Sequence, residues 1–182
     1  MSEVRTRAGA PPVTIRPYRP SDHHAGRRLW AELTGHHQEI YGEAGTGGES
    51  DTGADAGAAF EEYLTRLDLS GVWVADHPEA GVIGLVGLIL RGRGGEVEPI
   101  VVDAGYRRRG IGHALLDEVA GQARRRGMAE LTVSPRARDI EAVRCFHAAG
   151  YTTLSSLTFT LDIDGARRPS RGIDMYGLRF SY

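Results

Sequence analysis

The chain contains no lysine and no asparagine, so all 22 of the basic residues among its 182 are arginine. Without Lys there is no Gly-Lys-Ser/Thr, which excludes a P-loop. Lys and Asn use A-rich codons, whereas Arg, Ala and Gly use G/C-rich ones. The bias therefore implies a gene from a high-G+C organism, a bacterium, and arginine density alone carries little weight. A single cysteine, Cys145, excludes an intramolecular disulfide and suits a cytoplasmic protein. No run reaches the roughly 18 apolar residues of a membrane-spanning helix, so no membrane partner is expected. A formal net charge of −2 argues against nucleic acid as a partner. Residues Met1 to Pro12 lack the apolar stretch of a secretory signal and read as a disordered tail. The remainder, 13–182, reads as a single domain, and a hydrophobic content of 41% suffices for a core.

What is present centres on residues Glu96 to Arg126. The β-branched run Ile100-Val101-Val102 has the character of a buried strand. A turn follows, then Gly110-Ile111-Gly112, then a helix with Ala114, Leu115, Val119 and Ala123 at helical spacing. Arg124-Arg125-Arg126-Gly127 supplies a cationic last turn and a stop. Strand, glycine loop and helix start together make an anion site, because the first helical turn has unpaired N–H groups. A dinucleotide fold would need a third glycine where Leu115 stands, and an acidic residue after Leu131-Thr132-Val133-Ser134.

Arg107-Arg108-Arg109-Gly110-Ile111-Gly112, led in by Val102 and Tyr106, resembles motif A of the Gcn5-related N-acetyltransferase (GNAT) family, Arg/Gln-x-x-Gly-x-Gly/Ala. Asp139-Ile140-Glu141-Ala142-Val143-Arg144-Cys145-Phe146-His147-Ala148-Ala149-Gly150-Tyr151 resembles that family's motif B. There Ala142, Gly150 and Tyr151 match in register, Asp139 stands for Asn, and Phe146 stands where Tyr is common. The resemblance implies a mixed α/β fold: a mostly antiparallel central sheet with one parallel, splayed strand pair, flanked by about four helices. It also implies acetyl-CoA as cosubstrate, with no metal. The positions it assigns to the cosubstrate are Ile100, Val101, Val102, Arg107, Arg108, Arg109, Gly110, Ile111, Gly112, His113, Asp139 and Phe146. The pyrophosphate would rest on main-chain N–H groups of Arg108 to His113.

The other elements follow from local pattern. Val13 to Arg16 alternates as a first strand, and a helix follows to about Leu33. Gly42 to Ala59, with six Gly, five Ala and nothing aliphatic larger, reads as a mobile acidic loop. Phe60 to Leu67 resumes a helix. Val72 to Ala75 and Val82 to Leu90 form a hairpin pattern, and Leu131 to Ser134 reads as a strand parallel to 96–102. Asp139 is the expected N-cap of a helix burying Val143, Phe146 and Ala149. Thr153 to Ile163 and Gly172 to Phe180 read as two closing strands, joined at Asp164-Gly165. The paired histidines His23-His24 and His36-His37 lack metal-ligand spacing.

Acetyl transfer to an amine needs a base. Alternation puts Glu96 and Glu98 on the face of Ile100 and Val102, and the family carries its glutamate at either register. Glu98 is favoured as nearer the expected thioester. Pro99, lacking an N–H, marks a ladder gap or bulge. Where the family has Tyr, the phenol protonates the leaving sulfur, which Phe146 cannot do. Cys145 and His147, two apart on a helix, do not face each other as nucleophile and base. The function implied is N-acetyl transfer from acetyl-CoA to a primary amine by direct attack in a ternary complex. The alternative is a catalytically weak or inactive acyl-CoA-binding regulatory module of the same fold. The acceptor is a small-molecule amine or a protein amine, and homodimers are common in the family.

Overall fold

The computed structural model describes residues 2–4, 13–41, 56–66, 71–159, 163 and 171–181. Six strands form one sheet in chain order: β1 (Ser2–Val4), β2 (Val13–Pro17), β3 (Val72–His77), β4 (Gly81–Arg91), β5 (Gly94–Val102) and β6 (Leu131–Thr132). All neighbours are antiparallel except β5 and β6, which run parallel. β3 and β4 are near-continuous apolar runs because helices cover both faces of the sheet at these strands. Helices α1 (His23–Tyr41) and α2 (Ala56–Arg66) cover one face, where Leu29, Phe60 and Tyr63 pack on Val74, Leu85 and Val101. Helices α3 (Ile111–Arg125) and α4 (Ile140–Ala148) cover the other, where Leu115, Val119 and Phe146 pack on Trp73, Val86 and Val97. The expected sheet, with one parallel pair and four flanking helices, is what the chain forms. No helix among the described residues is long and apolar enough to cross a membrane.

Helix ends obey local chemistry. α3 stops in a Schellman arrangement: Met128 N–H donates to the Ala123 carbonyl and Gly127 N–H to that of Arg124, each at 3.0 Å, with Gly127 at φ 68°. Asp139 caps α4, its carboxylate accepting the Ala142 N–H at 2.9 Å.

Several boundaries differ from the sequence expectation. Ser2–Val4 is not tail but strand, laddered on β2, while residues 5–12 lie outside the described residues. α1 runs past Leu33 to Tyr41 because nothing in 34–40 forbids a helix, and Thr34 Oγ1 bonds back to the Ala31 carbonyl at 3.0 Å. The expected loop of Gly42 to Ala59 already yields helix from Ala56, in an alanine-rich run with strong helix propensity. Residues 42–55, and Leu67, lie outside the described residues. On α4, Val143 is exposed rather than buried with Phe146.

The C-terminal expectation is overturned. Residues 153–159 form no strand and are exposed, while 160–162 and the turn at Asp164-Gly165 lie outside the described residues. Gly172 to Phe180 is not one strand but a hairpin, β7 (Gly172–Met175) and β8 (Leu178–Ser181), separate from the main sheet. It turns at Tyr176-Gly177, both left-handed at φ 54° and 73°, the requirement of a type I′ turn.

The β5–β6 ladder consists of Gly95 opposite Leu131 and Glu96 opposite Thr132. β6 ends there, short of the expected Ser134, while β5 runs on to Val102. The last part of β5 therefore has a neighbouring strand, β4, on one edge only, and the parallel pair opens into a gap.

Candidate functional site

β5 carries a bulge at the mouth of that gap. Val86 pairs with Ile100 and Leu88 with Val97, so Gly87 alone opposes both Glu98 and Pro99. This is the irregularity that Pro99 announces in the sequence. The Tyr63 hydroxyl, on α2, donates to the Glu98 carbonyl. Gly87 is required by close approach, since a Cβ there would meet both the Tyr63 hydroxyl and the Glu98 carbonyl.

The bulge also reverses the strand's parity. Val97 joins Ile100 and Val102 in the α3-side core, so the alternation assumed through Glu98 fails. Glu96 lies opposite Ile89, which packs on the α1–α2 side. The Glu96 carboxylate is held by Arg91 Nε at 2.9 Å. Glu96 therefore does not share a face with Ile100 and Val102, contrary to expectation. Glu98, inside the bulge, is exposed, and its carboxylate has no hydrogen bond or ion pair among the described residues. Val101 is buried in the α1–α2 core, and Ile100 and Val102 are half-buried.

The loop after β5 is built by contacts distant in sequence. Glu32 of α1 accepts the Ala104 N–H at 2.7 Å and Arg107 Nη2 at 2.8 Å. Arg107 Nε donates to the Val102 carbonyl at 2.9 Å, so this side chain is a staple facing the protein. Arg108 sits at φ 61° and points to Glu141 at 3.1 Å, largely exposed. Arg109 lies 5.1 Å over the Tyr106 ring and donates to the Gly105 carbonyl. Gly110, at φ 85°, turns the chain into α3. The first helical bond is Ala114 N–H to the Gly110 carbonyl at 3.0 Å, leaving the N–H groups of Ile111, Gly112 and His113 without intrahelical acceptors. Arg107 and Arg108 are paired with Glu32 and Glu141, so the main-chain N–H groups at this helix start are the donors of the kind that suit an anion. Gly112 faces α4, where an added Cβ would lie 3.5 Å from Cys145 Sγ and 3.9 Å from Val102 Cγ2. His113 is exposed, 3.6 Å from Asp117.

α4 packs beside α3. Asp139 is buried at its N-cap, with His36 Nε2 of α1 at 3.6 Å. Burial, and then Arg136, lower the pKa of the neighbouring His37. Phe146 is buried in the core, edge-on to Tyr151 with ring centroids 6.0 Å apart. The Tyr151 hydroxyl is buried without a partner among the described residues, and burial, then Asp117, push its pKa up. Burial likewise raises the Cys145 pKa, which keeps it a thiol rather than a nucleophilic thiolate. A cavity of about 270 Å³ between Leu90, Arg93, Arg126 and Met128 lies by the start of β5, at the opposite end from Gly110. It takes no part in this arrangement.

Sequence reasoning thus named the bulge and the loop but missed Glu32, Tyr63, Gly87 and His36. Nothing local marks Glu32 or Tyr63, whose partners are 72–75 and 35 residues away. Gly87, as a glycine inside an apolar strand, was the one readable signal of close approach.

A family model described as "Acetyltransferase (GNAT) family" matches residues 25–151. Among solved structures, a GCN5-related N-acetyltransferase from Ralstonia eutropha superposes at a TM-score of 0.59 with 20% identity, over 82% of this chain and 98% of its own. Ard1 from Thermoplasma volcanium does so at 0.57 with 23% identity, over 76% and 81%. AAC(6')-Iy, solved in complex with the bisubstrate analogue CoA-S-monomethyl-acetylneamine, does so at 0.56 with 17% identity, over 82% and 97%. No curated protein sequence matches the chain.

Proposed function

Because the chain belongs to the acetyltransferase (GNAT) family, its model spanning residues 25–151, we propose that it moves an acetyl group from acetyl-CoA to a primary amine by direct attack in a ternary complex. One observation carries this reading. An exposed carboxylate, Glu98, with no partner among the described residues, sits in a bulge of β5 where the β6 ladder has ended, and the N–H groups of Ile111, Gly112 and His113 at the start of α3 have no intrahelical acceptor.

The residues present fit the cosubstrate. The N–H groups of Ile111, Gly112 and His113, behind the left-handed Gly110, are donors suited to a pyrophosphate, and the edge of β5 beyond Glu96, where the β6 ladder has ended, is the edge an extended arm would follow. Arg107, stapled to Glu32 and Val102, shapes the loop and does not reach for the phosphate. Bound, acetyl-CoA supplies an activated acyl thioester. The main-chain N–H groups of Ile100 and Val102, which alternate with the β4-facing Val101 and Asp103, are the donors available on the open edge to a developing oxyanion.

The amine must be neutral to attack. An alkyl amine of pKa ~10.4 is neutral in only about one molecule in 10³ at pH 7. Glu98, directly or through water, takes that proton, a role typically worth ~10²–10⁴-fold. Glu96, held by Arg91 on the other face, is the weaker candidate. Phe146 has no proton to give, and the Tyr151 hydroxyl beside it is buried, so the thiolate leaves without a phenol donor. A thiol pKa near ~8.5 makes that tolerable.

The second reading, an acyl-CoA-binding module without turnover, is favoured by Phe146 alone. Thiol release from acetyl-CoA across a panel of small amines and peptide amines separates the two. Turnover with any amine supports transfer. Tight acetyl-CoA binding by calorimetry, without release on any amine, supports the module.

A further inference from the structure

The Glu98–Pro99 peptide differs from every other in β5. As a tertiary amide it has no N–H, so its carbonyl is its only hydrogen-bonding group. Within the bulge it opposes Gly87 and lies outside regular ladder pairing. Its partner is the Tyr63 hydroxyl, reaching across from α2, with Gly87 leaving the room. Tyr63 is itself fully buried, its ring 4.8 Å from that of Trp30 and 6.4 Å from that of Phe60. The hydroxyl is thus carried on a buried aromatic cluster and donates to the peptide of the residue whose carboxylate has no partner among the described residues.

We propose that Tyr63 is the positioning residue of this site: by holding the Glu98 carbonyl on the α2 side, it fixes the bulge peptide and so the direction in which the Glu98 carboxylate leaves the strand. This rests on the reading of Glu98 as the base. A carbonyl released from Tyr63 would let the two-residue bulge rotate, and the carboxylate would lose its fixed approach to the amine. The phosphate donors at the start of α3 are untouched by that movement.

The test is Tyr63→Phe, which keeps the ring and removes the hydroxyl, made in the native chain and in the Glu98→Gln chain. With a turned-over amine near pH 7, kcat falls about tenfold in the native background and less than twofold in the Glu98→Gln background, because the positioned group is already gone. Acetyl-CoA Kd stays within twofold. The native-background deficit shrinks as pH rises toward the amine pKa, which a purely structural defect would not do. Equal losses in both backgrounds, or a pH-independent loss, overturn the proposal. So does a Glu98→Gln chain with native kcat, which removes Glu98 as base while leaving acetyl transfer standing. If no amine turns over, the function reading fails separately, and the geometry is then read by amide hydrogen exchange at Val97 and Val101, which flank the bulge. At least a tenfold faster exchange in Tyr63→Phe supports the clamp, and unchanged exchange overturns it.

Discussion

Gly110→Ala isolates one backbone angle. Gly110 sits at φ 85°, and a Cβ built there meets nothing within 4 Å, so an alanine introduces no clash. Its whole effect is the left-handed conformation, which disfavours a Cβ by roughly 1–2 kcal/mol. That penalty must appear somewhere. If the free loop keeps its shape, the protein loses this amount of stability, about 2–8 °C in Tm for a domain of this size. If the free loop relaxes instead, Tm holds and acetyl-CoA must restore the angle, raising Kd by about 5–30-fold. In either case the melt at saturating acetyl-CoA falls, since the bound loop needs the left-handed residue. Calorimetric titration paired with melts in the free and saturated states partitions the penalty. Gly110→Asn, which tolerates this region better, should lose less than half as much. Native Kd together with a native saturated melt in Gly110→Ala would refute the claim that this angle presents the anion donors.

The remaining predictions concern other parts of the chain. Glu98→Gln keeps size and removes basicity, so kcat near pH 7 falls ~10²-fold or more, the deficit closing toward the amine pKa while acetyl-CoA Kd is unchanged; pH–rate profiles on a turned-over amine check this. Asp22 is held below the usual carboxylate range chiefly by its bonds to Arg16, at 2.7 and 2.9 Å. Its depressed folded pKa means the stabilisation is full above the unfolded value of ~3.9 and is lost as pH falls through the folded one. Asp22→Ala should cost about 3 kcal/mol at pH 7, the low end for a broken buried pair because Asp76 still holds Arg16, and less at low pH, as urea titrations at both would show. Gly35, mid-α1 with open space around it, should gain about 0.5–1 kcal/mol as Gly35→Ala in the same titrations.

What sequence made legible was local. Gly110-Ile111-Gly112 before a helical repeat, Asp139 before another, and Pro99 within a strand each act through their own backbone. The reading failed where one residue's geometry depends on a distant one. Period-two alternation gave Glu96 the face of Ile100, but the extra residue at the bulge turned it to the other side. Arg107 matched a phosphate-loop position, yet its side chain is taken by Glu32, far upstream. The Tyr176-Gly177 turn was missed for a different reason: a tyrosine at positive φ is unusual enough that the run read as one strand.

The Glu32 clamp sets an order of events during folding. The turn at Ala104 and Arg107 is fastened to α1 across 72–75 residues, and closing so long a span early is entropically unfavourable. The hairpin of β3 and β4 and its extension to β5 need only short connections, so they can assemble first. The donors at the start of α3 then gain their final aim only when α1 docks on the finished sheet. The shape of the proposed phosphate loop is therefore a late, tertiary property, although its glycine signature spans only a few residues. A fragment beginning after α2 would carry the whole signature and β5 intact, with the staple from Arg107 to Val102, and still lack the Glu32 contacts that tie the loop to α1.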